Sequence, residues 1–157
     1  EFHANMPMVE TLINKERPTM AGSDYVLTEF SGATDFAFAR ERVYELVTHG
    51  FIPIIAHVER YPNIRKDMGN LETLREIGAY LQVNAESILG EEGFATKRFC
   101  KKLMKNNMLD FVGTDCHRTN KRIPNLGPCA EYMEKKMGRE YTERILIHNP
   151  QKIIENI

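Results

Sequence analysis

Short apolar runs separated by helix-length segments constrain this chain more than any other feature. Ile52-Pro53-Ile54-Ile55-Ala56 and Leu109-Asp110-Phe111-Val112-Gly113 read as buried parallel strands. Tyr25 to Phe30 and Tyr80 to Asn84 read as further strands, and Glu1-Phe2-His3-Ala4-Asn5 as the end of another. A first helix is expected from Asn5 to Glu16, with Asn5 as N-cap, Pro7 in the first turn, and Val9, Leu12 and Ile13 on one face. Asp35 opens a second, which turns Val43, Leu46 and Val47 inward and stops at Gly50. Asn70 caps a third through Ile77, ended by Gly78, and a fourth runs from Gly93 to Asn106. Pro128 to Gly138 and Arg139 to Ile157 follow, the last broken at His148-Asn149-Pro150, where Asn149 suits an N-cap and Pro150 a first helical residue. Strict alternation of strand and helix predicts an α/β fold, a parallel sheet or barrel with right-handed crossovers, in one domain over 1–157.

In barrel-like α/β folds, active sites are built at the carboxyl ends of the strands. Two of these runs end in metal-ligand chemistry: Ala56-His57-Val58-Glu59-Arg60-Tyr61 and Gly113-Thr114-Asp115-Cys116-His117. Neutral imidazole suits Zn, Mn or Fe, and carboxylates add affinity for harder divalent ions. A lone histidine after a strand is more often a hydrogen-bonding loop residue, but Asp115 and His117 lie two apart and point the same way in extended backbone. Glu29 ends its strand similarly, and a solvated carboxylate at a sheet edge is an equal reading of it. Glu59 reads as a salt-bridging loop residue. Arg60 and Arg122 flank the two clusters, and a guanidinium fork matches phosphate oxygens.

With 21 Lys+Arg against 22 Asp+Glu in 157 residues, there is no electrostatic case for nucleic acid. The apolar runs fall far short of the roughly twenty residues that span a bilayer, and no signal-peptide pattern precedes them. No membrane insertion is expected. Cys100, Cys116 and Cys129 lack close pairing and are odd in number, so reduced thiols in the cytoplasm are expected. Cys116 to Arg122 spells C-x5-R, a thiolate phosphatase signature. Composition alone would produce such a match roughly one time in five. That chemistry needs a glycine-containing phosphate loop before a helix, whereas the intervening residues here contain no glycine and Pro124 follows. Cys116 is expected to be a small packing residue.

At these residues the chain resembles the polymerase-and-histidinol-phosphatase (PHP) superfamily, and within it the bacterial protein-tyrosine phosphatases encoded with capsule and exopolysaccharide genes. The resemblance spans the whole chain. Its anchors are Tyr25 to Phe30, Ile52 to Tyr61, Gln82 to Ser87 with Gly90, and Phe111 to His117 with Arg122 and Pro124. The family's last element commonly reads Ser-Asp-x-His, so Thr114 departs slightly. The resemblance implies a distorted (β/α)7 TIM-like barrel with three divalent ions, often manganese, with Fe, Zn or Mg as alternatives. By position, Glu1 resembles the bridging carboxylate, Glu29 and His57 its partners on a second ion, Asp115 a ligand of the first and His117 of the third. Arg60 and Arg122 resemble the arginines that hold phosphate. The family's N-terminal His-x-His has no counterpart, which implies a barrel lacking its N-terminal strands, roughly eighty residues on the scale of half a domain. The implied activity is phosphomonoester hydrolysis by a metal-activated water. The implied substrate and partner is the phosphotyrosine-bearing tail of a bacterial tyrosine kinase. Rival readings are a histidinol-phosphate-type phosphatase and an inactive fragment that binds metal, phosphate or a partner. The sequence is also compatible with a homo-oligomer.

Overall fold

Among the described residues every strand pairing is parallel, as strands joined through helices require. A computed structural model describes residues 1–4, 7–117 and 124–156. It divides into two compact units, Glu1–Leu81 with Lys152–Ile157, and Gln82–Gln151.

In the first unit, strands β1 (Phe2–His3), β2 (Tyr25–Glu29), β3 (Ile52–Ile55) and the start of β4 (Tyr80–Asn84) lie side by side in sequence order. The register sets His3 opposite Glu29 and Thr28 opposite Ile55. The ends of β2 and β3 are therefore level. Val26, Ile54 and Ile55 are at most 1% exposed, and burying each side chain contributes about 1.5–3 kcal/mol. Coverage on both faces explains why these strands are apolar runs rather than alternating patterns.

Helix α1 (Met8–Ile13) is shorter than expected, because the chain turns left-handed at Lys15 (φ 57°), and the expected cap Asn5 lies outside the described residues. Helix α2 (Phe36–Thr48) follows expectation: the Asp35 carboxylate accepts the Phe38 N–H at 2.8 Å, and Gly50 (φ 84°) turns the chain into β3. A one-turn helix α3 (Pro62–Arg65) then precedes α4 (Met68–Ile77). The cap of α4 is Asp67, not Asn70: Asp67 sits in extended backbone and accepts the Gly69 N–H at 2.9 Å, while Asn70 donates to the Ile64 carbonyl at 3.1 Å. Gly78 closes α4 at φ 127°, where a Cβ would lie 3.3 Å from Val47 of α2. Close approach and positive φ both call for glycine there.

In the second unit, Gln82, Val83 and Asn84 of β4 pair with Phe111, Val112 and Gly113 of β5 (Phe111–Gly113). Helices α5 (Ala85–Leu89), α6 (Phe94–Lys105) and α7 (Leu126–Met137) pack through Ile88, Cys100, Leu103, Cys129 and Met133. Lys97 of α6 ties the three together: its ammonium donates to the Leu89 carbonyl at 2.8 Å and lies 4.8 Å from the centre of the Tyr132 ring. Helices α3 and α5 are too short to leave a periodic signal.

The expected break at Asn149 does not occur. After α8 (Arg139–Glu143) the chain widens into a π-helical turn over Arg144–His148 and continues into α9 (Asn149–Glu155), with Asn149 itself helical (φ −68°, ψ −46°). Pro150 has no N–H and its ring crowds the carbonyl four residues back, a conflict that a wider turn relieves. The Asn149 amide donates instead to the Asp110 carbonyl at 2.8 Å, which ties the helix to the approach of β5. Among the described residues, no helix is long and apolar enough to cross a membrane.

Candidate metal centre

Level strand ends in the first unit gather Glu1 before β1, Glu29 at the end of β2, and His57 just past β3. One donor atom from each lies within 4.8 Å of the others. His57 Nε2 is 3.4 Å from Glu1 Oε2 and 3.6 Å from Glu29 Oε1. Donors bonded to one ion at about 2.0–2.2 Å lie roughly 3–3.5 Å apart, so this spacing fits a shared cation. Two carboxylates supply charge and hard oxygens, and an imidazole adds a borderline nitrogen. Glu29 is not at a sheet edge, since β2 is flanked by β1 and β3. His57 is 3% exposed, which keeps its ring out of bulk water.

His57 adopts the left-handed region (φ 34°, ψ 54°), where a residue with a Cβ is uncommon. This reverses the chain directly after β3 and starts a single helical turn, Val58–Arg60, that returns Tyr61 beside the histidine. The Tyr61 hydroxyl lies 3.1 Å from His57 Nδ1 and accepts the Phe30 N–H at 3.0 Å. Burial, reinforced by the charges of Glu29, Glu1 and Glu59, raises the Tyr61 pKa well above its ordinary 10.0, against the lowering effect of the Phe30 N–H. The hydroxyl keeps its proton.

Asp115 and His117 belong to the second unit, after β5. Asp115 is also left-handed (φ 50°), so the chain is not extended here and the expected alternation does not apply. The pair still meets: His117 Nδ1 donates to the Asp115 carbonyl at 2.7 Å and lies 3.4 Å from its Oδ1. That bond leaves His117 Nε2 as the ring's lone-pair donor. Asn84, fully buried at the end of β4, directs its amide at Asp115 Oδ2 at 3.4 Å, and Gln82 Nε2 donates to Asn84 Oδ1 at 3.1 Å. Gly113 makes room for this relay, since a Cβ there would stand 2.7 Å from Gln82 Nε2.

A family model described as "Capsular polysaccharide synthesis, CpsB/CapC" matches residues 1–155. The chain belongs to the CpsB/CapC family. It is similar to the tyrosine-protein phosphatase CpsB of Streptococcus agalactiae serotype III, with 28% identity over 99% of this chain and 66% of that protein. It is also similar to the tyrosine-protein phosphatase YwqE of Bacillus subtilis, with 29% identity over 94% of this chain and 58% of the relative. A solved structure, from work on YwqE and Streptococcus pneumoniae CpsB as unique metal-dependent tyrosine phosphatases, matches with TM-score 0.89 and 28% identity, over 97% of this chain and 61% of that one. The chain thus spans just under two thirds of the length of the curated CpsB relatives. The family expected from the sequence is the family found, and the parallel β/α order with this match bears out an α/β fold of PHP-like barrel type.

Within this CpsB/CapC chain, Arg60 closes the turn begun by His57 and is half-buried, while Arg122 lies outside the described residues. Glu59, expected as a salt-bridging loop residue, is 1% exposed. Cys116 corrects another expectation: it is exposed rather than packed, because the left-handed turn at Asp115 takes the chain off the strand. Cys100 and Cys129 are buried, and none of the three cysteines is in a disulfide. Sequence reasoning missed Tyr61 and Asn84. Their signals were modest: a tyrosine four residues after a candidate ligand, and an amide at a strand's carboxyl end.

Proposed function

We propose that this CpsB/CapC chain carries the metal-binding part of a phosphatase that hydrolyses phosphotyrosine, with the phosphorylated tail of a bacterial tyrosine kinase as substrate. The Glu1, Glu29 and His57 cluster carries this reading, because its spacing and donor set suit a divalent ion. The tyrosine-phosphatase activity of the CpsB and YwqE relatives points the same way. In this reading Glu1, Glu29 and His57 hold one ion, while Asp115 and His117 serve further ions of up to three. Manganese is the proposed metal, with Fe, Zn and Mg as alternatives of related donor preference. Bound divalent ions would lower the pKa of a water towards neutrality and offset charge on the phosphate oxygens. Arg60 and Arg122 are proposed to hold phosphate through their guanidinium forks, where charge grows in the transition state.

Elemental analysis of purified protein beside hydrolysis of a phosphotyrosine peptide, p-nitrophenyl phosphate and histidinol phosphate tests this function. The expected result is bound transition metal at one or more equivalents, chelator-sensitive turnover, and preference for the phosphotyrosine peptide. Preference for histidinol phosphate would reassign the substrate, and absence of both metal and turnover would reject the reading.

A further inference from the structure

One side chain reaches two of the strand ends that carry candidate ligands. Tyr61 is 1% exposed, and its hydroxyl bonds Phe30, the residue directly after Glu29, on one side and His57 Nδ1 on the other. Its ring meets Phe30 edge-on, with centroids 5.8 Å apart, and lies 5.6 Å from the His57 ring. A strand end and an imidazole are thus referred to a single buried oxygen. From these contacts we propose that Tyr61 is the positioning residue of the metal centre, holding His57 Nε2 and the Glu29 carboxylate at the separation one cation requires.

Proton placement supports this role. A phenol has one proton to give and two lone pairs to share. The Phe30 N–H occupies one lone pair, and among the described residues His57 Nδ1 is the acceptor placed for the Tyr61 proton. Nδ1 then carries no hydrogen in the metal-free protein, and Nε2–H faces Glu1 and Glu29. For Nε2 to offer its lone pair to a cation, the ring proton must sit on Nδ1, and the same hydroxyl oxygen can accept it through its second lone pair. Tyr61 can therefore partner Nδ1 in either tautomer, as donor to it in one and acceptor from it in the other. Outer partners of ligating histidines are commonly carboxylates, carbonyls or water, and they fix ring orientation and basicity. A buried tyrosine does the same and adds a tether to the neighbouring ligand strand. The left-handed backbone at His57 supplies the geometry, since it brings Tyr61 back beside the ring within one short helical turn.

This proposal rests on the metal reading above, so the experiment separates the two. Mn(II) affinity is measured by competition with a fluorescent chelator in the intact wild-type protein and in Tyr61→Phe and His57→Ala. Tyr61→Phe keeps the ring and removes only the hydroxyl. The expected result is loss of the site in His57→Ala and about 10–100-fold weaker binding in Tyr61→Phe, with an unchanged circular dichroism spectrum. Wild-type affinity, within twofold, in Tyr61→Phe beside loss in His57→Ala would overturn the positioning role and leave the metal site standing. Unchanged affinity in His57→Ala would overturn both. Nitrogen-15 shifts of His57 in the metal-free wild-type protein give a check that needs no variant. They are expected to report Nδ1 engaged in a hydrogen bond, and an Nδ1 without one would overturn the proposal.

Discussion

At the scale of single residues, the candidate ligands were legible before their geometry. Glu29, His57, Asp115 and His117 could be picked out because each stands at or just past the carboxyl end of a short apolar run. That Glu1 faces His57 depends on parallel register, and the left-handed backbones of His57 and Asp115 have no sequence signature. Left-handed backbone at two candidate ligand positions fits the tendency of functional sites to hold strained backbone. The same residues make a sharp prediction about mechanism. His57→Ala and Asp115→Ala should each lower kcat for phosphotyrosine peptide by at least about a hundredfold, in line with loss of a group that stabilises developing charge. Cys116→Ser should keep at least half of it, although Cys116 is exposed and adjacent to Asp115. Loss of activity in Cys116→Ser alone would mean that the thiolate reading of C-x5-R had been set aside wrongly.

At the scale of elements, capping and close approach set the costs. Asp35 satisfies an otherwise unpaired N–H at the start of α2, so Asp35→Ala should destabilise the protein by about 1 kcal/mol in urea titration without changing metal affinity. Gly113→Ala should act differently. The added methyl would displace the Gln82 amide that orients Asn84, and leaving a buried amide unpaired costs about 1–3 kcal/mol. The expected signature is weaker activity as well as lower stability, because Asn84 directs its amide at Asp115. Gly113→Ala with native stability and turnover would show that the relay is dispensable. Periodicity located α2, α4, α6 and α7, but it failed at Asn149. A proline after an asparagine reads locally as a helix start, and only the wider turn over Arg144–His148 and the bond to Asp110 keep the helix continuous.

At the scale of the whole molecule, burial ties stability to pH and to metal. Burial pushes the Cys129 thiol up from its ordinary 9.0 to about 12. The folded state therefore holds a proton that the unfolded state releases between those values, and stability must fall as pH rises through that window. The slope from one such group reaches about 1.4 kcal/mol per pH unit, and Cys129→Ala should flatten the alkaline limb of a stability profile measured by chemical denaturation. On the proposed metal reading, free Mn(II) at a hundred times its dissociation constant should add about 2.7 kcal/mol, seen as a melting temperature that falls on chelation. By itself the sequence determined the α/β class, the strand ends that carry candidate ligands and the family, because hydrophobic periodicity and residue types suited to metal are local properties written in order along the chain. The family resemblance already implied that Glu1, Glu29 and His57 share an ion, and the tertiary structure supplied their spacing; it alone decided that Tyr61 touches both His57 and Phe30 and that Asn84 meets Asp115. Those contacts join residues far apart in the chain or turn on a left-handed backbone, and parallel register and burial set them rather than any nearest-neighbour preference.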